Sequence, residues 1–120
     1  MTLRVFVLLV LSIVALADTA SAAVSEYSIQ LKDHLFYPST IKIPAGKKVK
    51  LVIQNLDDTP EEFDSFSLNR EKVLFPKQTS FIYIGPLKPG VYDFFGEYNP
   101  NTARGKVVVL KQTKGATHVN

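Results

Sequence analysis

The chain has 120 residues, 46% of them hydrophobic and 21% charged, with a net charge of +3; this is the composition of one small globular domain, not of a disordered segment. It contains no cysteine, so any metal centre that depends on a thiolate ligand is excluded. Gly-x-Ser-x-Gly, a phosphate-binding glycine loop and His-Glu-x-x-His are also missing, which removes the commonest hydrolase and transferase sites.

At the N-terminus, Arg4 precedes the apolar run Val5 to Ala17, and Ala20-Ser21-Ala22 supplies small residues at a cleavage position. Residues 1–22 therefore read as a secretory signal peptide, with export to the periplasm and no stable membrane anchor after cleavage; the run is short for a membrane span, and an uncleaved anchor is the competing reading. Tyr27 to Leu31 alternates apolar and polar, the period of a half-buried strand. Lys32 to Ser39, with Asp33, His34 and Pro38, reads as a loop or edge irregularity. Thr40 to Ile43 alternates again and ends at the turn Pro44-Ala45-Gly46. Val49 to Ile53 is a β-branched strand that stops at Asn55, and Leu56 to Pro60 is turn-rich.

Phe63 to Leu68 alternates with a change of phase, which predicts a bulge or bend near Asp64-Ser65. Asn69 to Val73 fits a helical turn or a loop. Thr79 to Ile84 is strongly β, and Gly85-Pro86 ends it. Lys88-Pro89-Gly90 opens a final hairpin made of Val91 to Phe95, an irregular segment, and Val107 to Leu110. Short strands separated by turn signals every eight to twelve residues, with no sustained helical period after the leader, predict an all-β Greek-key sandwich of seven to eight strands. The domain spans residues 23–110, and 111–120 is a polar tail that includes His118. Lys47, Lys48 and Lys50 are the densest basic group, and as a solvated strand face they do not point to nucleic acid.

Periodicity alone does not separate the possible sandwich families; the order of motifs does. Phe36-Tyr37-Pro38-Ser39-Thr40-Ile41-Lys42-Ile43-Pro44-Ala45-Gly46 resembles the opening of a cupredoxin, and Gly90 to Val109 resembles its last, copper-carrying hairpin. On that resemblance the positions of the copper ligands fall on Glu61 (histidine), Gly96 (cysteine), Asn99 (histidine) and Ala103 (methionine): the frame is kept and the ligands are lost. The chain is also similar to the cupredoxin-like domains of EfeO-type periplasmic iron-uptake proteins and to small proteins that accompany ferrous-iron permeases. The motifs that carry this are Glu62-Phe63-Asp64-Ser65, Arg70-Glu71-Lys72, Gly85-Pro86-Leu87-Lys88-Pro89-Gly90 and Phe95-Gly96-Glu97. Phe36 and Gly96 stand where some of those domains keep cysteines.

The resemblance implies an accessory of ferrous-iron uptake, partnered with a permease system or another periplasmic iron-uptake protein, that binds or helps oxidise iron or Cu(II). Carboxylates suit hard ions, so the candidate metal ligands are Glu62 and Glu97, joined by Glu61 and His34. Strand alternation sends only one of Glu61 and Glu62 inward, and Glu62 is the one expected there. The competing reading pairs Glu62 with Arg70 or Lys72 as a structural salt bridge. The competing function is a metal-free interaction module that kept the sandwich after losing copper. Tyr92, Phe94 and Phe95 are expected in the core, and Tyr98 at the surface.

Overall fold

The computed structural model describes residues 23–113. The expected signal peptide, residues 1–22, and His118 with most of the polar tail lie outside the described residues. Nine strands form among the described residues, β1 (Glu26–Lys32), β2 (Leu35–Tyr37), β3 (Thr40–Pro44), β4 (Val49–Asn55), β5 (Glu61–Ser65), β6 (Arg70–Leu74), β7 (Thr79–Ile84), β8 (Gly90–Gly96) and β9 (Arg104–Leu110). They make two sheets, in the order β2-β1-β4-β7 and β3-β9-β8-β5-β6. The pairs β1–β4 and β3–β9 are parallel and the remaining pairs antiparallel. The chain is thus an all-β sandwich, and β2 and β6 are the strands the sequence pattern does not show.

Both are short or polar edge strands. In β2 only Phe36 is buried, so three residues give no readable alternation. Asp33 and His34 make the tight turn between β1 and β2 with φ of 52° and 59°, a conformation in which two consecutive residues with φ > 0 suit the twist of a hairpin. Asp57 fixes that turn: its carboxylate accepts the Asp33 N–H at 2.7 Å and the His34 N–H at 3.0 Å. In β6 only Leu74 is buried; a charged outer strand guards the sheet against further pairing. The phase change expected near Asp64-Ser65 is the end of β5. Ser65 Oγ accepts the Leu68 N–H at 3.2 Å and donates to the Asp93 carbonyl at 2.6 Å, which pins the β5–β6 turn onto β8.

Alternating residues of both sheets meet between them. Ile29, Leu31, Leu51, Ile53 and Ile84 face Ile43, Phe63, Phe94, Val107 and Val109 across the core. Phe36, Phe63 and Phe94 form its aromatic centre, with ring centroids 4.9 Å to 6.3 Å apart. Tyr92 is partly buried against this cluster, as expected. Phe95 is not in it: it lies on the opposite face of β8, where its ring is 5.7 Å from that of Phe66. Lys48 and Lys50 lie over the rings of Tyr83 and Phe81, so two of the three lysines of the densest basic group are engaged with aromatic faces on the outside of the first sheet.

Candidate metal site and a filled pocket

β5 carries Glu61 and Glu62 at its start, and its alternation decides which one faces the core. Phe63 is fully buried between the two sheets, so Glu62 and Asp64 share the outer face while Glu61 turns inward. The inward residue is therefore Glu61, not Glu62. Its side chain is 1% exposed, and three donors surround it. Oε1 accepts the backbone N–H of Glu62 at 2.9 Å and of Tyr98 at 2.8 Å, and Oε2 accepts Nδ2 of Asn99 at 2.8 Å. A carboxylate withdrawn from water needs such donors to remain there.

Gly96 and Ala103 complete this pocket. A Cβ on Gly96 would lie 2.5 Å from Cδ of Glu61 and 2.7 Å from Cβ of Ala103, so glycine is what leaves room for the carboxylate. The four positions expected as lost copper ligands, Glu61, Gly96, Asn99 and Ala103, thus converge. They do not fit a copper ion. The Glu61 side chain fills the space beside Gly96, its oxygens are committed to N–H donors, and the chain has no cysteine to supply a thiolate.

The acidic cluster lies on the other side of the same sheet. Glu97, the first residue after β8, donates its N–H to the Glu62 carbonyl at 2.9 Å, which places the two residues side by side. Asp64, opposite Phe95 on β8 and Glu71 on β6, is the third member. One carboxylate oxygen from each of Glu62, Asp64 and Glu97 lies within 4.8 Å of the others. Asp64 carries no signal as a ligand in the sequence beyond its place two residues from Glu62 on one strand face; it was missed because its neighbours across the sheet decide its role.

The cluster has no internal counter-charge. Among the described residues the ion pairs are Lys50–Glu26 and Lys77–Asp58, and the His34 imidazole lies beside the Asp57 carboxylate. Arg70 instead donates from Nε to the Tyr83 carbonyl and from Nη1 to the Asn69 carbonyl, so the salt bridge from Glu62 to Arg70 or Lys72 that the competing reading called for is not made. Asp64 is only 5% exposed, yet its carboxylate takes part in no hydrogen bond or ion pair among the described residues. No fully buried side-chain oxygen is left without a partner, so that carboxylate keeps an opening to solvent. The Glu62 carboxylate beside Glu97 pushes the Glu97 carboxyl above its ordinary value, with smaller contributions from partial burial, Asp64 and Glu71. Partial burial and then Glu62 raise the Tyr98 phenol in the same way.

His34 and Glu61 do not join the cluster. His34 Nδ1 lies 3.7 Å from the Asp57 carboxylate at the β1–β2 turn, and both oxygens of Glu61 are already taken. Tyr98 is half-exposed beside the acidic group, as expected of it.

The profile described as a cupredoxin-like domain matches residues 5–109. A Rickettsia prowazekii protein named only as uncharacterized protein RP394 is 41% identical over 92 residues, which are 77% of this chain and 74% of that one. Among solved structures, auracyanin A, a blue copper protein of Chloroflexus aurantiacus, superposes with a TM-score of 0.64 at 13% identity, over 73% of this chain and all (100%) of that one. A chain of a heme-copper terminal oxidase dimer gives a TM-score of 0.60 at 21% identity; the match covers 72% of this chain and 65%, less than two thirds, of that one. At these identities the structural likeness speaks to the fold.

Proposed function

We propose, from the premise that this chain belongs to the cupredoxin-like domain family, that it is an exported, periplasmic cation-binding accessory of ferrous-iron uptake. In this reading it works beside a permease system and holds iron, or Cu(II), on Glu62, Asp64 and Glu97. The observation that carries the binding site is Asp64, 95% withdrawn from solvent on the strength of its 5% exposure, unpaired, and within 4.8 Å of two further carboxylate ligands. Like charges placed opposite one another across a sheet are destabilising, and a hard cation coordinated by oxygen removes that repulsion. The leader Val5 to Ala17 and the cleavage residues Ala20 to Ala22 support export. The motifs Glu62 to Ser65 and Phe95 to Glu97 support the iron-uptake assignment by resemblance.

The test is a thermal-melt series with Fe(II) under anaerobic conditions, Mn(II) and Cu(II). A ligand that binds only the folded chain raises its melting temperature. A metal-induced rise in wild type that is lost in Glu62→Gln, Asp64→Asn and Glu97→Gln supports the site. No rise with any of the three ions favours the second reading, a metal-free interaction module. That reading draws on Phe66, which is 82% exposed and has its ring tilted against that of Phe95 next to the acidic group; exposed aromatics of this kind are common in interfaces.

A further inference from the structure

We infer that Glu61 is the positioning residue of the acidic cluster: its buried carboxylate holds the β8–β9 loop so that Glu97 meets Glu62 and Asp64 without an ion at the centre of the fold. The inference rests on the cation-binding reading above. Glu97 is the first loop residue, and it is tied to β5 on both sides. Its own N–H extends the β5–β8 ladder by one step, to the Glu62 carbonyl at 2.9 Å. The next two residues are tied to Glu61, through the Tyr98 N–H and the Asn99 side-chain amide, each at 2.8 Å. The Asn99 carbonyl then accepts the N–H of Ala103 at 2.9 Å, and the Ala103 carbonyl accepts the N–H of Gly96 at 2.8 Å, so the loop closes on itself around the same pocket.

The two adjacent glutamates therefore divide one task. Glu62 points outward and belongs to the cluster, while Glu61 points inward and fixes the loop that brings Glu97 to it. Repulsion among Glu62, Asp64 and Glu97 pushes the loop away from β5, and the bonds to Glu61 oppose that push. A glutamine at position 61 cannot do the same, because its amide has one acceptor oxygen and presents an NH₂ where Tyr98 or Asn99 also donates. Groups that orient a ligand without touching the ion commonly change metal affinity when replaced.

The experiment is a Mn(II) titration followed by the electron paramagnetic resonance signal of free Mn(II). It compares wild type, Glu61→Gln, Asn99→Ala, Glu97→Gln and the double variant Glu61→Gln/Glu97→Gln. The dissociation constant is expected to rise about 10- to 100-fold in Glu61→Gln and in Asn99→Ala. Because Glu61 acts through Glu97, adding Glu61→Gln to Glu97→Gln is expected to change affinity by less than about twofold, the non-additivity that marks a shared path. Exchange of the Tyr98 amide in the metal-free protein is expected to speed up in Glu61→Gln. Should Glu61→Gln fail to fold, Asn99→Ala, alone and combined with Glu97→Gln, decides. An equal loss with and without Glu97 overturns the positioning role, as does wild-type affinity in both Glu61→Gln and Asn99→Ala. Absence of Mn(II) binding by wild type overturns the cation-binding reading as well, so the two failures are distinguishable.

Discussion

Glu61 and Asp64 are both carboxylates withdrawn from water on one short strand, on opposite faces, and their surroundings differ in kind. Glu61 has three donors; Asp64 has acidic neighbours and no donor among the described residues. Replacing each should therefore move stability in opposite directions. Glu61→Ala leaves the Tyr98 N–H and the Asn99 amide without their acceptor and opens a void, so chemical denaturation should show a loss of roughly 2–4 kcal/mol. Asp64→Asn relieves like-charge repulsion, and the metal-free protein should gain up to about 1 kcal/mol, measured at low salt where screening is weak. Gly96→Ala should cost about 1–3 kcal/mol by overpacking, because the atom it meets belongs to a glutamate pinned by three hydrogen bonds.

At the scale of the strand, much of the sandwich was legible because buried alternation is written into composition: Ile29 and Leu31, Ile41 and Ile43, Leu51 and Ile53, Ile82 and Ile84 all face the core. Arg70 to Leu74 was not legible as a strand, since an exposed edge of charged residues owes its form to pairing with β5. The inward glutamate is Glu61 and not the expected Glu62 for a different reason: Glu61 stands two residues from the buried Phe63 and shares its face of the strand. The pairing of Glu62 with Glu97 across β5 and β8 also sets a pH dependence. Glu97 has its carboxyl raised above the ordinary 4.5 by Glu62 first, so the folded chain holds that proton more tightly than the unfolded chain. Metal-free stability from this pair is then highest below the ordinary value and falls as pH rises through the raised one. Melting curves between pH 4 and pH 7, on the order of the carboxylate range, should show this decline reduced in Glu62→Gln relative to wild type.

Across the whole molecule, the motif order located the fold and the convergence of Glu61, Gly96, Asn99 and Ala103, while the absence of cysteine predicted the loss of the copper site's chemistry. What the sequence left open was the side of the sheet on which the acidic residues gather. Glu62 and Glu97 were legible as a pair from the positions of two loops, but Asp64 joins them only through the cross-strand geometry of β5, β6 and β8. His34 belongs to the β1–β2 turn with Asp57, so His34→Ala should leave cation affinity unchanged. The most direct test of the account is an amide NMR spectrum of uniformly ¹⁵N-labelled protein with substoichiometric Mn(II), whose paramagnetism broadens nearby signals. Broadening centred on Glu62, Asp64 and Glu97 is the expected result; broadening centred on His34 and Asp57, or none at any residue, would contradict it.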